Sequence, residues 1–406
     1  MNTFCVLPWI HLATHPDGNV TLCCVSDHTN LMSASKNFKN GIRQFKNLNN
    51  NSIEEIVNSD YFRETRLQFL NNEIPEACQR CFEEESNGIK SKRILSHEEF
   101  KNFNIDEARN LTSPTGLIKP NLKYVELRLG NKCNHKCRTC NPFSSSIWKD
   151  DYKKLSDELE YVTKYNTEDA NFDWSVNETF WEDLYSYNED LEQININGGE
   201  PTLIKQHWSY LNKLIEKGKT NIKLLYNINV SYVPDKALEY WRLFDQVNIT
   251  CSIDDVGVRN SYIRSGSKWS VLNDNLDKLL KEDFNISVCQ TLSFMNYYYI
   301  DEFAEWLETK KLNYKLHHNI VYDPNFLSPF ALPLNVRKII HKKIEKSKLS
   351  KYMIDNLKSK FSEHDNGILF MEAMRYTTYL DCIRDESFIK TFPELHNLLK
   401  EHHETY

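Results

Sequence analysis

The chain of 406 residues carries 50 Lys and Arg against 57 Asp and Glu, a formal net charge of −7, and 40% of its residues are hydrophobic. These values are ordinary for a globular protein, and 21 Phe, 21 Tyr and 8 Trp supply enough apolar surface to argue against disorder. The mild acidity gives no reason to expect nucleic-acid binding, and no apolar run approaches the ~20 residues of a membrane span. Because the N-terminus has no signal-peptide pattern, we predict a cytoplasmic protein with no nucleic-acid or membrane partner.

The cysteines are grouped rather than scattered. In a chain with no export signal, cysteines separated by two residues favour metal ligation over disulfides. Three isolated cysteines are expected to be small core residues. The groups are Cys5 with Cys23 and Cys24, Cys78 with Cys81, and Cys133 with Cys137 and Cys140, and the isolated residues are Cys251, Cys289 and Cys382.

Residues 1–118 are predicted to form a small domain around a helical middle. Apolar residues recur at helical spacing over Ser52–Leu70, which predicts helical structure there. The turn residues Pro16–Asn19 predict a hairpin flanked by Cys5 and Cys23. The two later cysteines, Cys78 and Cys81, follow the helical middle.

From about residue 119, short β-rich runs alternate with amphipathic helical stretches, which predicts parallel βα units over 119–330. Helices are predicted over 203–218, 269–280 and 300–311, and extra helices over 141–190. Residues 331–406 are predicted to be a helical extension punctuated by Pro333 and Pro393. The predicted strands are Lys123–Leu129, Gln193–Ile196, Lys223–Ile228, Val247–Ile253, Ile286–Leu292 and Tyr314–Ile320.

The first of these strands leads into a loop with the spacing Cys133-x3-Cys137-x2-Cys140. Three thiolates so close together can hold three irons of one [4Fe–4S] cube and leave the fourth iron open for chemistry. The alternative is a structural zinc site with His135 as the fourth ligand. The softness of the donors and their spacing favour iron–sulfur.

The second strand ends in Gly198-Gly199-Glu200-Pro201. Two glycines let the backbone approach a ligand closely, and Glu200 offers a carboxylate to an ammonium group. An ordinary strand-to-helix turn is the alternative. Both motifs follow the carboxyl ends of neighbouring predicted strands, which is where barrels of βα units place their active sites.

Together the two motifs resemble the radical S-adenosylmethionine superfamily. CNHKCRTC matches its CxxxCxxC cluster loop, and NGGEPTL matches its GGE motif, which binds the methionine amino group. The resemblance covers about 119–330 and implies a partial (β/α)6 barrel, TIM-like, whose cluster cleaves S-adenosylmethionine to a 5′-deoxyadenosyl radical that abstracts hydrogen. Thr139 replaces the aromatic residue of many members, which does not affect ligation.

The resemblance also implies further cofactor contacts. Ser252 and Asp254 match an S-x-D segment, and Arg264 matches a Y-x-R-x-G stretch in which a guanidinium suits the methionine carboxylate. Asn229 matches a strand-three T-N-G region. An ordinary strand-end or capping role is the alternative for each. His317-His318-Asn319, near the end of the sixth strand, are further candidates to face substrate, and a hydrogen-bonded core histidine is the alternative.

The N-terminal cysteines Cys5, Cys23, Cys78 and Cys81 form a second candidate ligand set. Their spacing alone favours zinc, in a site closed by four thiolates. However, C-x9–15-G-x4-C followed by CxxC resembles the SPASM/twitch auxiliary domain of the same superfamily, in its short form with one auxiliary [4Fe–4S] cluster. The domain usually follows the barrel, and here it precedes it. Cys23 rather than Cys24 fits the G-x4-C count.

These patterns predict a radical S-adenosylmethionine enzyme of the oxidoreductase type. The resemblance implies two [4Fe–4S] clusters, S-adenosyl-L-methionine, a flavodoxin- or ferredoxin-type electron donor, and most often the oxidative modification of a peptide or protein. Radical dehydrogenation of a small-molecule alcohol and a non-enzymatic, zinc-stabilised binding module are the alternatives. The substrate and the catalytic base are not identified by the sequence.

Overall fold

The computed structural model describes residues 3–26, 46–165, 167, 170–312, 316–347, 349, 351, 354–355, 357 and 367–402. The chain divides into two compact units. The first comprises Met1–Asn131, Asp169–Tyr226 and Lys236–Val247, and the second comprises Lys132–Glu168, Asn227–Asp235 and Asn248–Tyr406. The proposed domain boundaries at 118/119 and 330/331 stay predictions.

Eight β-strands lie in the described residues and alternate with helices, as in an α/β protein. The strands are mostly parallel, and only β1 and β2 pair in an antiparallel way. The α/β class is therefore confirmed, and the partial (β/α)6 barrel stays a prediction. The strands are β1 His11–Thr14, β2 Val20–Thr21, β3 Tyr124–Arg128, β4 Gln193–Asn197, β5 Lys223–Ile228, β6 Val247–Ser252, β7 Asn285–Leu292 and β8 Leu316–Ile320.

In the first unit the strand order is β2-β1-β3-β4-β5, and in the second unit β6, β7 and β8 are neighbours in that order. Arg128, the last residue of β3, lies opposite Asn197, the last residue of β4. The chain segments that carry the two sequence motifs therefore leave the sheet at the same edge.

All six predicted strands are present, although the first residues of the sixth, Tyr314 among them, lie outside the described residues. The predicted hairpin is β1–β2, and it also joins the sheet because His11 of β1 pairs with Tyr124 of β3. That parallel pairing was not predicted. Strands of four and two residues are too short for their pattern to be recognised.

The predicted helical structure over Ser52–Leu70 is two helices. Ser52 and Ser59 each occupy an N-cap position, and Ser52 forms a capping box with Glu55. The second serine starts a new helix after a two-residue interruption at Asn58 and Ser59. The first-unit helices are α1 Leu7–Ile10, α2 Ile53–Val57, α3 Asp60–Leu70, α4 Gln79–Ser86, α5 Lys92–Glu99, α6 Ile105–Leu111, α8 Glu178–Ser186, α9 Lys205–Glu216 and α10 Asp235–Trp241, whose first residue belongs to the second unit.

The helices predicted over 269–280 and 300–311 are present. Pro333 and Pro393 stand at the starts of α14 and α17, as predicted. The second-unit helices are α7 Lys149–Glu158, α11 Gly257–Ile263, α12 Trp269–Leu279, α13 Ile300–Thr309, α14 Leu334–Glu345, α15 Gly367–Arg384, α16 Phe388–Thr391 and α17 Pro393–His402.

Each unit has its own apolar cluster, and in the second unit the cluster unites residues around the cysteine loop with α14, α15 and α17. Cys251 is fully buried in β6 and Cys289 is half-buried in β7. Cys382 is exposed on α15, so the expectation of a core residue is wrong there. Within the described residues, none of the helices has the length and apolar character needed to cross a membrane.

Candidate functional site

In the first unit, four cysteines that are distant in sequence line one cavity. Cys5 precedes α1 and Cys23 follows the short strand β2. Cys78 is the N-cap residue of α4, and Cys81 lies in its first turn. We call this arrangement the four-cysteine cavity.

The thiols of the four-cysteine cavity are shielded from water and lie close enough to shift one another's pKa values. Burial first, and the neighbouring thiols to a smaller extent, raise the pKa of Cys5 and of Cys23 to about 12. The pKa of Cys78 is raised more strongly by the same causes. A buried thiol with a raised pKa stays protonated at neutral pH unless a metal binds it, because metal binding replaces the proton and releases it.

A half-buried ion pair connects two sides of the cavity. Arg93 lines the cavity, contacts Glu85 through Nη2, and donates from Nη1 to the carbonyl oxygen of Phe4 at 3.0 Å. Its guanidinium also lies over the ring of Phe82, 4.8 Å from the centroid. Phe4 precedes Cys5 and Phe82 follows Cys81, so one side chain positions the chain next to two of the cysteines.

Cys24, the neighbour that the sequence left as a rival to Cys23, does not line the cavity. Its thiol is hydrogen-bonded to Glu126, and burial followed by the charge of that carboxylate raises its pKa to about 12. Glu126 is itself buried and accepts a hydrogen bond from the hydroxyl of Tyr124 at 3.1 Å. The geometry therefore favours Cys23 as the ligand.

The donor set fits an iron–sulfur cluster. The four thiols are arranged around one shared cavity. An iron–sulfur cluster is held in that manner, because each thiolate binds a different iron.

In the second unit, the loop Cys133–Cys140, here called the cysteine loop, is held by backbone bonds to the segment that follows α11. The amide of Lys136 donates to the carbonyl oxygen of Ser265 at 2.8 Å, and the amide of Arg138 donates to that of Ile263 at 2.7 Å. Cys137 is buried, and Cys133 and Cys140 are half-buried.

Side chains from further along the chain complete the support of the cysteine loop. Trp148 donates from Nε1 to the carbonyl oxygen of Cys137 at 2.9 Å, and Ser145 donates to that of His135 at 2.6 Å. Asn229 is buried and donates to Oδ1 of Asn134 at 2.8 Å. The predicted cofactor residue Asn229 therefore contacts the cysteine loop itself.

Arg264 lies beside the proposed ligands. Its Nη1 donates to Oδ2 of Asp254 at 3.0 Å, while its Nε is buried without a hydrogen-bond partner among the described residues. Burial lowers the pKa of Arg264, but the charges of Cys137 and Asp254 outweigh it and raise the pKa overall. A buried N–H donor without a partner is costly unless a ligand satisfies it, and a carboxylate suits a guanidinium.

Asp254 is fully buried and acts on Arg264 rather than on solvent. Its Oδ1 accepts from the amide of Thr291 at 2.8 Å, and its Oδ2 accepts from Arg264. Ser252, predicted with it as a cofactor contact, is half-buried at the end of β6. In the geometry of this unit, Asp254 orients the arginine.

His135 is the fourth-ligand candidate of the zinc alternative. It is 1% exposed, and burial lowers its pKa to about 3. Both ring nitrogens are buried without a hydrogen-bond partner in the described part of the chain. His317 on β8 is exposed, so nothing in its surroundings singles it out.

The Gly198–Pro201 motif lies in the first unit, against the end of β3. Gly198 has a φ of +142°, and a Cβ there would approach the amide nitrogen of Leu129 to 2.9 Å, so only glycine fits. Gly199 donates to the carbonyl oxygen of Gly130 at 3.1 Å. The motif is therefore packed onto the strand that precedes the cysteine loop.

Glu200 is 1% exposed and its Oε1 accepts two hydrogen bonds from Thr202, at 3.2 Å from the amide and 2.6 Å from the hydroxyl. It caps the short turn that Pro201 begins. A buried carboxylate at the end of a strand is suited to an ammonium group, and it also serves the turn. Both the ammonium-binding role and the turn role predicted from the sequence are compatible with this geometry.

Sequence reasoning missed several residues that the structure places around the cysteines. Lys92 and Arg93 line the four-cysteine cavity. Arg138, inside the cysteine loop, contacts Asp381 and Glu386. The position of Arg138 between two cysteines was a visible signal, but its partners lie 243 and 248 residues away and no local pattern indicates them.

Comparison with known proteins adds two sequence matches. The SPASM model, an iron–sulfur cluster-binding domain, matches residues 5–82. The radical SAM cyclopropyl synthase TigE of Paramaledivibacter caminithermalis is 26% identical over 246 residues, which are 58% of this chain and 48% of that protein. The chain thus spans about half the length of this curated relative.

Two solved structures illustrate the structural matches. The anSMEcpe structure with bound AdoMet is 17% identical, covers 51% of each chain and has a TM-score of 0.37. Streptococcus suis SuiB bound to the precursor peptide SuiA is 13% identical, covers 82% of this chain and 68% of that one, and also has a TM-score of 0.37.

Proposed function

We propose that this chain, which belongs to the radical S-adenosylmethionine superfamily and carries a SPASM iron–sulfur domain, catalyses the oxidative modification of a peptide or protein. Radical SAM enzymes with such a domain bind one [4Fe–4S] cluster for radical formation, an auxiliary cluster and S-adenosylmethionine.

In this proposal Cys133, Cys137 and Cys140 hold the first cluster. When bound, it supplies one electron to the sulfonium of S-adenosylmethionine, which yields a 5′-deoxyadenosyl radical able to take hydrogen from substrate. Glu200 receives the methionine ammonium, and Arg264 receives its carboxylate. The observation that carries the proposal is the buried Nε of Arg264, which has no partner among the described residues and lies on an arginine that interacts electrostatically with Cys137.

The four-cysteine cavity has a different task. With Cys5, Cys23, Cys78 and Cys81 all ligating, no iron is open to the cofactor. A closed cluster can take up the electron that remains on the substrate after hydrogen abstraction and deprotonation, which suits a two-electron oxidation. A peptide or protein substrate is proposed because the SPASM and twitch relatives mostly act on such substrates.

The test is anaerobic reconstitution followed by metal analysis. Two clusters give about eight irons per chain, and dithionite with S-adenosylmethionine should yield 5′-deoxyadenosine even without substrate. Changing Cys133, Cys137 and Cys140 together to Ala should leave about four irons and no 5′-deoxyadenosine. Zinc with only trace iron in the reconstituted protein would overturn the proposal in favour of a binding module.

The substrate class is tested by mass spectrometry. Peptides encoded beside the gene and simple polyols are incubated separately with the reduced, reconstituted enzyme and S-adenosylmethionine. A peptide product lighter by two hydrogens, formed together with 5′-deoxyadenosine, supports peptide oxidation. Oxidation of the polyols alone would replace it with the alcohol dehydrogenation alternative.

A further inference from the structure

Arg138 occupies an unusual place, between Cys137 and Cys140 and with none of its side chain exposed. Its guanidinium lies over the ring of Tyr262, 3.6 Å from the centroid, and its Nε donates to the carbonyl oxygen of that residue at 3.3 Å. A buried guanidinium is expensive to place away from water unless carboxylates neutralise it. The identity of those carboxylates is therefore informative.

Both carboxylates come from the C-terminal end of the described chain. Nη2 of Arg138 contacts Oδ1 of Asp381, and it contacts Oε2 of Glu386 at 2.5 Å. Asp381 accepts from the hydroxyl of Tyr262 at 2.6 Å, and Glu386 accepts from that of Ser265 at 2.7 Å. The same two carboxylates thus hold the cysteine loop and the segment that carries Arg264.

A second set of contacts joins α15 to the loop. Arg384 donates to Oδ2 of Asp151 at 2.9 Å, and Lys136 of the cysteine loop contacts the same oxygen at 2.7 Å. The guanidinium of Arg384 lies 4.1 Å from the centroid of Trp148, the residue that donates to Cys137. Tyr376 donates from its hydroxyl to the carbonyl oxygen of Arg138 at 3.2 Å.

We infer that four residues, Tyr376, Asp381, Arg384 and Glu386, form a C-terminal clamp that positions the cysteine loop for cluster binding. The inference rests on the proposed function, since it concerns the cluster held by that loop. The cysteine loop has no regular secondary structure of its own, so its shape depends on the groups that satisfy its backbone and its buried charge. The clamp residues are positioning residues, because they act through Arg138 and Lys136 and not on the cluster.

The main test is the variant Asp381→Asn with Glu386→Gln, which keeps the shape of both side chains and removes their charge. Groups that orient metal ligands typically contribute about 10- to 100-fold to metal affinity. We therefore expect iron to leave the loop cluster about 10- to 100-fold faster under a chelator, while the four-cysteine cluster keeps its iron. The readouts are iron content over time and the electron paramagnetic resonance signals of the two reduced clusters.

A matched control exists in the first unit. Glu85→Gln removes the carboxylate partner of Arg93 at the four-cysteine cavity. It should speed iron loss from that cluster and leave the loop cluster unchanged, the reverse of the clamp variant. Arg138→Lys should also lose loop-cluster iron faster than wild type, because an ammonium that contacts both carboxylates has no Nε to donate to the carbonyl oxygen of Tyr262.

A global folding defect is separated from a local one by further variants. Tyr376→Phe keeps the buried ring and removes only the hydrogen bond to Arg138, and Glu386→Gln alone leaves Asp381 in place. Each should broaden or shift the resonance signal of the loop cluster alone, even if the double variant fails to fold. Unchanged signals and iron release in these folded single variants would overturn the clamp. An iron content that does not fall when Cys133, Cys137 and Cys140 are all changed to Ala would instead refute the proposed function.

Discussion

The four-cysteine cavity and the cysteine loop are both proposed cluster sites, but different parts of the chain build and support them. The cavity gathers cysteines from positions 5 to 81, and the ion pair beside it, Arg93 with Glu85, lies close by in sequence. The cysteine loop has three cysteines within eight residues, but its buried Arg138 is neutralised from 243 residues away. The more compact sequence motif is therefore the one that depends more on the rest of the chain.

The two regions also differ in the balance of buried charge. At the cavity, Arg93 is paired with Glu85 and hydrogen-bonded to the backbone. Near the cysteine loop Arg138 is fully buried, and the half-buried Arg264 keeps a buried Nε without a partner among the described residues while pairing with Asp254. A closed ligand set with satisfied neighbours suits electron transfer, and an open set beside an unsatisfied donor suits binding of a charged cofactor.

The largest expected effect separates the two regions by task. Cys78→Ala with Cys81→Ala should abolish substrate turnover and spare the formation of 5′-deoxyadenosine, because the cofactor needs the open iron of the other cluster. The loop triple variant should abolish both. A melting curve must accompany the assay, since metal binding is coupled to folding. Turnover at the wild-type rate in a folded Cys78→Ala, Cys81→Ala protein would make the auxiliary cluster structural.

A second prediction concerns the Gly198–Pro201 motif. Glu200→Gln should weaken S-adenosylmethionine binding about ten- to a hundredfold, because a charge-assisted contact contributes roughly 1.5–3 kcal/mol. Iron content should not change. Thr202→Val, which removes a hydroxyl donor to Glu200 and leaves its carboxylate, is the control and should retain binding. Equal affinity of Glu200→Gln and wild type in equilibrium dialysis would mean that the motif is only a turn.

A third prediction sharpens the contrast in buried charge. Arg264→Lys should weaken S-adenosylmethionine binding about tenfold, since an ammonium cannot donate to Asp254 and to a second carboxylate in the forked geometry of a guanidinium. Arg93→Lys in the first unit is the matched variant, and there the affinity should stay at the wild-type value. Isothermal titration calorimetry with S-adenosylmethionine measures the affinity of both variants. Similar affinities for the two variants would contradict the assignment of Arg264.

The smallest expected effect is on acid stability. Burial raises the pKa of Glu85, but hydrogen bonds from Arg93 and Ser91 outweigh it and lower the pKa overall. Likewise, burial raises the pKa of Asp151, and its contacts with Lys136 and Arg384 lower it more. A carboxyl group with a lowered pKa contributes stability that is present above its unfolded pKa and is lost as pH falls through the folded value.

Melting temperatures of Glu85→Gln and Asp151→Asn, measured from pH 7 down to pH 3, test this sign. Both variants should be less stable than wild type at neutral pH, and the difference should shrink as the solution becomes more acidic. The measurement also compares the regions, because each carboxylate supports a different cysteine site. A difference that grows toward low pH would contradict the direction of the shifts.

Much of the fold was predictable because its signals are local. Alternating β-rich and amphipathic stretches predicted the six longer strands, and Pro16–Asn19 predicted the hairpin. The division of Ser52–Leu70 into two helices was missed, since its apolar spacing continues through the break at Asn58. The pairing of β1 with β3 was missed because it joins His11 to a strand more than a hundred residues later.

At the candidate sites, the sequence by itself determined the residue types and their spacing: the three loop cysteines, the four N-terminal cysteines and the glycines of Gly198–Pro201. Only the tertiary structure decided which neighbours surround them. It placed Cys23 and not Cys24 at the cavity, and it brought Asp381 and Glu386 to Arg138. The physical reason is that spacing and periodicity are properties of a few consecutive residues. The neutralisation of a buried charge depends instead on which distant segments the folded chain brings into contact.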